Sequence, residues 1–521
     1  MSVGWATRLG GSALLLHACL ACSDDAGPPV TSPTPLGLDF VACDITTSKG
    51  TFANAAECAT LDVPARRAVT GSKPVTLSVK RYKKASQPRG QLWLVAGGPG
   101  SAASDLQYDA ETYFALGNEL ELYFLDHRGT GRSSRLTCPT EEAALSPAGS
   151  LIRDAEWASC AATLAQQWGD DLSGFNVTEA AEDLGELIAY THEDGLPTYI
   201  YAVSYGTYLA QRYLQKYPTQ PAGVILDSIC SPGKCELLLE FDRQFDATAQ
   251  TIFGYCATDT NCANELGPDP WGHVKALSAL LAAGHCPIIG WSSATLRQVL
   301  GLMTEIAGLR DYMPAVVRRI ERCSANDVTS LGIFRQFVAG IDTESSSFSQ
   351  ALSTHILLSE LSPRPLPTVS AVNANVNSLF ASIDAGPRVA PAVATWPIYE
   401  HDAYFGAFAP TAVPILLLNG TLDPQTPLSV AQPAGDYYRG AHQRFISIPY
   451  SPHNTLTQSL VDELGHTCGA ALSAQFLADP NAMLDTSCLS AVLPLNFSGI
   501  RDITRVLFGT DSAWADVAPT P

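Results

Sequence analysis

Ser204 closes the apolar run Thr198-Tyr199-Ile200-Tyr201-Ala202-Val203 and is followed at once by the helical pattern Tyr205-Gly206-Thr207-Tyr208-Leu209-Ala210. A serine at such a strand-to-helix elbow is held in strained backbone geometry, at roughly 1–3 kcal/mol, which presents its hydroxyl to a substrate carbonyl. Ala202 stands where the pattern G-x-S-x-G has its first glycine, the mildest replacement at a position that needs little bulk. A serine nucleophile needs a base to take its proton and a carboxylate to hold that base in the right tautomer. Asp423 lies in Asn419-Gly420-Thr421-Leu422-Asp423-Pro424-Gln425-Thr426-Pro427, directly after the apolar run Leu416-Leu417-Leu418, and His453 lies in Pro449-Tyr450-Ser451-Pro452-His453-Asn454, again just past a strand pattern. His442 precedes its strand, His466 falls in or beside a helix, and neither Asp402 nor Asp436 follows a clear buried strand. The spacing therefore assigns Ser204 as nucleophile, His453 as general base and Asp423 as its orienter.

Negative charge on a tetrahedral intermediate needs fixed donors. Val95-Ala96-Gly97-Gly98-Pro99-Gly100 follows another strand pattern, and its glycines let backbone N–H groups approach a substrate oxygen without a Cβ in the way. Gly98 N–H and Tyr205 N–H are the expected oxyanion pair, each donor being worth about 3 kcal/mol of barrier in such sites. The loop lacks the G-x-x-x-x-G-K-[ST] pattern of phosphate cradles, and Pro99 removes one donor. No Cys or His spacing suits a tetrahedral metal site, so neither metal nor other cofactor is expected.

Residues so far apart in sequence meet only if one element positions them all. Strand patterns occur at residues 75–82, 91–96, 120–125, 222–226, 413–418 and 445–449, besides the elbow strand. They alternate with helices, of which 177–190 has the clearest apolar face, at Ala180, Leu184, Leu187 and Ile188. Near-continuous apolar strands between helices predict a mostly parallel sheet covered on both faces, whose loops leave at one edge. From about residue 231 to 400 strand signals fade, and helical patterns take over at 274–283, 296–309, 314–323, 330–341 and 348–361. This predicts an α/β core in two parts, 39–230 and 401–515, interrupted by a helical cap over 231–400. Final helices are expected at about 455–464 and 470–477.

The first residues read as an export signal over 1–22: Arg8 precedes an apolar stretch too short to span a bilayer. Leu20-Ala21-Cys22 resembles the acylation site of bacterial lipoproteins, which makes Cys22 the lipidation candidate and membrane attachment through it an expectation, with a secreted or periplasmic protein as the alternative. Of the 14 cysteines, setting aside Cys19 and Cys22 leaves an even number suited to disulfides. Their spacing predicts pairs between sequence neighbours and leaves the connectivity open. Residues 23–38, rich in Pro, Ser, Thr and Gly, read as a flexible linker. The net charge of −20, with no Lys/Arg block to track a phosphate backbone, argues against nucleic acid as a partner. Acidity aids solubility and favours cationic substrates such as free peptide amino termini.

Taken together, the motifs resemble the prolyl and tripeptidyl aminopeptidase branch of the α/β-hydrolase superfamily, in which the chain order is also Ser, Asp, His. Gly97-Gly98-Pro99-Gly100 is similar to the end of that family's HGGPG loop, with Ala96 in place of histidine. Asp126-His127-Arg128-Gly129-Thr130-Gly131-Arg132-Ser133 is similar to its D-x-R-G-x-G-x-S segment, and Ser204-Tyr205-Gly206-Thr207 to its elbow. Leu226-Asp227, Asp423-Pro424-Gln425-Thr426-Pro427 and the stretch from Cys468 to Cys488 complete a resemblance that runs from about residue 40 to 500. It implies an α/β-hydrolase fold with an inserted helical cap, and an exported serine exopeptidase that releases N-terminal residues from peptides with a free amino terminus. Exopeptidase action also needs cap carboxylates facing the protonated amine. Glu240, Asp246 and Glu344 are the candidates, with Asp242 and Asp311 behind them. An esterase or lipase using the same triad, and a catalytically silent binding protein on the same scaffold, are the competing readings.

Overall fold

The apolar runs pair into one twisted sheet of nine strands: β1 (Val41–Thr47), β2 (Gly50–Pro64), β3 (Pro74–Lys83), β4 (Gly90–Val95), β5 (Leu120–Asp126), β6 (Thr198–Val203), β7 (Gly223–Asp227), β8 (Ile415–Gly420) and β9 (Gln443–Ile448). The computed structural model describes residues 38–519 apart from 118, 148 and 342–346. The expected signal, Cys22 and all of the linker but Leu38 lie outside the described residues, as does Glu344. Strand order is β1-β2-β3-β5-β4-β6-β7-β8-β9; β1, β2, β3 and β5 pair antiparallel, and from β5 through β9 every neighbour is parallel. β4, β5, β6, β7 and β8 are buried along their whole length, which explains their unbroken hydrophobicity. This is the α/β-hydrolase fold, with β4, β6, β7, β8 and β9 all releasing their loops at one edge.

Helices Glu156–Trp168, Val177–Tyr190, Tyr205–Lys216 and Cys468–Ala478 flank the sheet. Between β7 and β8 runs a series of helices from Glu240–Thr258 to Ala385–Val389, with a hydrophobic cluster of its own built around Phe253, Leu300, Met313, Val316 and Phe334. The last helix, Arg501–Phe508, falls in the stretch read as core from sequence. It nonetheless gives Leu507 and Phe508 to the cap cluster, because one face is apolar while Arg501, Asp502 and Arg505 stay outside.

Two predicted helices come out differently. The pattern over 296–309 is broken into Ser293–Thr304 and Ala307–Arg310. The Gln458 side chain takes the Ala307 N–H through Oε1 (3.0 Å) and donates through Nε2 to Glu305 O (2.9 Å), replacing the helix's own bonding with a tertiary contact. The expected helix over 455–464 shrinks to Thr455–Gln458, after which the chain turns back through the bridge Leu460–Thr467.

Six disulfides join cysteines 5 to 37 residues apart, all between neighbours in sequence. They fit an oxidising, extracytoplasmic compartment. Among the described residues no helix is long and apolar enough to cross a membrane.

Candidate active site

The turn after β6 carries Ser204 at φ 59°, ψ −132°, a conformation that L-residues rarely adopt. Two contacts hold it there. Ser204 N–H donates to Asp227 O across to β7 (3.0 Å), and Thr207 N–H donates back to Ser204 O (2.9 Å). The turn packs tightly on the β4 exit: a Cβ on Gly206 would lie 2.4 Å from Val95 O, and one on Gly97 would lie 2.9 Å from Ser204 Cβ. Both positions therefore require glycine. Ala202, by contrast, points its methyl into the core, where it is fully buried. Tyr205 opens the following helix, so its N–H has no intrahelical acceptor and sits at the positive end of the helix dipole. Gly98, Ser204 and Tyr205 border one small cavity, placing the expected oxyanion donors beside the hydroxyl.

Asp423 sits in the turn after β8, almost wholly buried. Gln425 N–H and Thr426 N–H donate to its Oδ1 (2.8 and 2.9 Å), and Thr426 Oγ1–H donates to its Oδ2 (2.9 Å). Its carboxylate meets His453 Nδ1 at 3.0 and 2.9 Å. Burial alone would raise the Asp423 carboxyl, but His453 and the backbone donors outweigh it and hold the group below the usual carboxylate range. With Nδ1 committed to Asp423, Nε2 is the nitrogen left for proton transfer.

The His453 ring bonds to Asp423 and, at 3.3 Å, to Thr426 Oγ1; among the described residues none of its hydrogen bonds reaches Ser204 Oγ. Catalytic hydrogen bonds commonly tighten only in the substrate complex. The two loops nonetheless lie side by side, since Thr426 borders the same cavity as Ser204. Asp227, whose carbonyl holds Ser204 N–H, uses its carboxylate on Thr455 N–H (2.9 Å), Thr455 Oγ1–H (2.8 Å) and Leu456 N–H (2.9 Å). Ser228 Oγ accepts Asn454 N–H at 2.8 Å. Asn419 ties the β7 exit to the Asp423 turn, accepting Ile229 N–H (2.8 Å) and donating to Thr426 O (2.9 Å). Asp227 and Asn419 thus fasten the nucleophile, acid and base loops together. Asp227 and Asn419 both stand in the quoted motifs without a role, because a polar residue near the end of a buried strand gives no sign of what it fastens.

The D-x-R-G-x-G-x-S segment holds the turn that follows the oxyanion loop. Asp126 accepts Ser104 N–H (2.8 Å) and Arg132 N–H (2.9 Å), while Arg128 is buried against Asp183 (both contacts 2.7 Å).

The cap carboxylates named from sequence that fall among the described residues make contacts of their own. Glu240 pairs with Arg243 on the surface. Asp246 accepts Phe380 N–H and Ala381 N–H (2.6 and 3.0 Å), Asp242 accepts Ala385 N–H and Gly386 N–H (3.0 and 2.9 Å), and Asp311 accepts Asn496 N–H (2.9 Å). The cap residue that approaches the base is Glu305, at the break in the cap helix. One Gln458 Nε2 bridges Glu305 O and His453 O at 2.9 Å each. Burial pushes the Glu305 carboxyl up to about 7, against the pull of His453 and Arg388 and with the help of Asp423. No protein group donates a hydrogen bond to that carboxyl among the described contacts.

Residues 383–488 match the family model described as TAP-like protein, a stretch that holds Asp423, His453 and the Cys468–Cys488 disulfide. No curated protein matches the chain. Among solved structures it is similar to MGS-M2, an alpha/beta hydrolase enzyme from a Medee basin deep-sea metagenome library (10% identity, TM-score 0.36, 80% of this chain and 99% of that one). It is also similar to epoxide hydrolase A from Mycobacterium thermoresistibile (15% identity, TM-score 0.31, 81% and 98%) and to a thermophilic esterase from Thermogutta terrifontis (13% identity, TM-score 0.29, 80% and 91%).

Proposed function

We propose that this chain, an α/β hydrolase with a TAP-like segment, is an exported serine exopeptidase that releases N-terminal residues, singly in the proline-type manner or as tripeptides, through an acyl-enzyme. The observation that carries the reading is the buried Asp423–His453 pair, fastened through Thr426 and Asp227 to a strained Ser204 beside two backbone donors.

Ser204 Oγ attacks the scissile carbonyl as His453 Nε2 takes its proton, and Asp423 stabilises the imidazolium that forms. Gly98 and Tyr205 N–H groups bind the oxyanion. His453 then protonates the leaving amine, and a water activated by the same imidazole releases the acyl portion. Glu305 supplies the counter-charge for the substrate's protonated amine: among the described residues it is a cap carboxyl near the base that accepts no hydrogen bond.

Hydrolysis of aminoacyl and tripeptidyl p-nitroanilides tests the reading, with turnover expected for free amines and abolished by N-acetylation. Equal rates on free and blocked substrates would remove the exopeptidase. The cavity at Ser204 has no charged residue on its lining, which suits a short-chain ester as well. That second reading, a serine esterase, predicts ester cleavage with negligible amide cleavage. Failure of a fluorophosphonate to label Ser204 would leave only a silent hydrolase-fold binding protein.

A further inference from the structure

The cavity that holds Ser204 and the oxyanion donors is also bordered by a disulfide. Cys230 and Cys235 both line it, together with Leu237, Phe241 and Leu361, and its free volume is about 10 Å³, the room of one water or methyl group. Cys230 cannot shift, since its N–H donates to Thr207 Oγ1 (2.9 Å) and its carbonyl accepts Gln211 Nε2 (3.1 Å), both on the elbow helix. Cys235 begins the strap that leads into the cap. Leu237 N–H donates to Leu361 O (2.8 Å), and the Glu236 carboxylate caps Leu238, Leu239 and Glu240 N–H (2.6, 2.9 and 2.7 Å), which starts the helix bearing Phe241.

An ordinary apolar wall yields to a larger guest by changing a rotamer, at about 1 kcal/mol. A disulfide with one end tied into the nucleophile's own helix yields only if backbone moves. On the acyl-enzyme reading above, we propose that the Cys230–Cys235 bridge is a fixed size filter for the residue whose carbonyl is attacked. It admits glycine or alanine there and excludes large and charged side chains. Of the two exopeptidase modes, it favours release of tripeptides ending in a small residue over release of a single proline, whose ring exceeds the space.

The test compares tripeptidyl p-nitroanilides that differ only in the third residue, alanine or phenylalanine, in the wild type and in two variants. Wild type is expected to favour alanine by about 100-fold in kcat/KM. Cys230→Ala/Cys235→Ala is expected to shrink that ratio to about tenfold or less, mainly by admitting phenylalanine, whereas a merely structural bridge would lower both substrates together and leave the ratio alone. Phe241→Ala keeps the bridge and removes a neighbouring apolar wall, so it reports on the filter even if the bridge variant fails to fold: with the bridge in place the preference for alanine is expected to survive. Wild type cleaving both substrates equally, a folded bridge variant keeping the wild-type ratio, or Phe241→Ala abolishing it, would overturn the filter. If no amide is cleaved at all, the peptidase reading falls instead, and p-nitrophenyl acetate against p-nitrophenyl benzoate reads the same filter on esters: a preference for acetate that the bridge variant erodes and Phe241→Ala keeps upholds it, and equal rates in the wild type refute it.

Discussion

Two carboxyls approach the same histidine from two regions of the molecule, and they are kept in opposite condition. Asp423, at the sheet edge, receives two backbone N–H groups, a hydroxyl and the imidazole, and is held below the ordinary carboxylate range despite full burial. Glu305, in the cap, receives no donor among the described residues and is pushed up to about 7 by burial. The same imidazole attracts both, so the difference comes from the local backbone. A turn after a parallel strand aims N–H groups at its own aspartate, whereas a broken cap helix aims none at Glu305. The edge is built to keep its charge unconditionally, and the cap is left to await a partner.

The largest expected effects lie at the edge. Ser204→Ala should lower turnover of a cleaved p-nitroanilide by at least about 10⁴-fold with circular dichroism unchanged, and His453→Ala should do the same. Residual turnover within tenfold of wild type would show that the reaction does not pass through this serine. Asp423→Asn sharpens the comparison, because it keeps the shape of the turn and removes only the charge: a loss of about 10³- to 10⁴-fold in kcat is expected, with KM little changed.

Asp227 comes next in size, since it positions the base loop without touching substrate. Asp227→Asn leaves one acceptor oxygen where Thr455 and Leu456 N–H now use two. The His453 loop should loosen, kcat should fall by about 10- to 100-fold, and fluorophosphonate labelling of Ser204 should slow in parallel. Slower hydrolysis with unchanged labelling would locate the effect in substrate binding.

The contrast also explains what could be read in advance. Ser204 and Asp423 follow strands buried along their whole length, which write themselves as apolar runs, and His453 follows the partly buried β9, whose Phe445, Ile446 and Ile448 still mark a strand, so the parallel edge and the residues on it were legible together. Glu305 was hidden because apolar periodicity runs straight through 296–309; the break depends on Gln458, about 150 residues away, competing for the helix's own groups. The β1–β2 hairpin was missed for another reason. Most of its residues face solvent, so alternation is weak, and the Cys43–Cys58 bridge joins the pair. The last helix, Arg501–Phe508, was passed over, and the cluster that receives its apolar face is built from residues far earlier in the chain.

The smallest expected effect is the one that separates the two carboxyls most cleanly. A carboxyl raised to about 7 is neutral below that pH and charged above it, while a peptide amine begins to lose its proton near 7.7–8.0. The ion pair between them therefore exists chiefly between about pH 7 and 8, and KM for free-amine substrates should pass through a minimum there. Glu305→Gln should raise KM by about 10-fold at pH 7.5, erase its rise toward acid, and leave kcat on a short ester unchanged, whereas an edge carboxyl variant would strike kcat on both. The stability sign is opposite to that of a paired acid. Because the folded state holds the Glu305 proton more tightly than the unfolded chain, wild type loses stability as pH climbs from the ordinary glutamate range through 7. Glu305→Gln should remove that loss, so its Tm should gain on wild type between pH 5 and pH 8; a gain at pH 5 that vanishes at pH 8 would mean that the cap carboxyl is held charged after all.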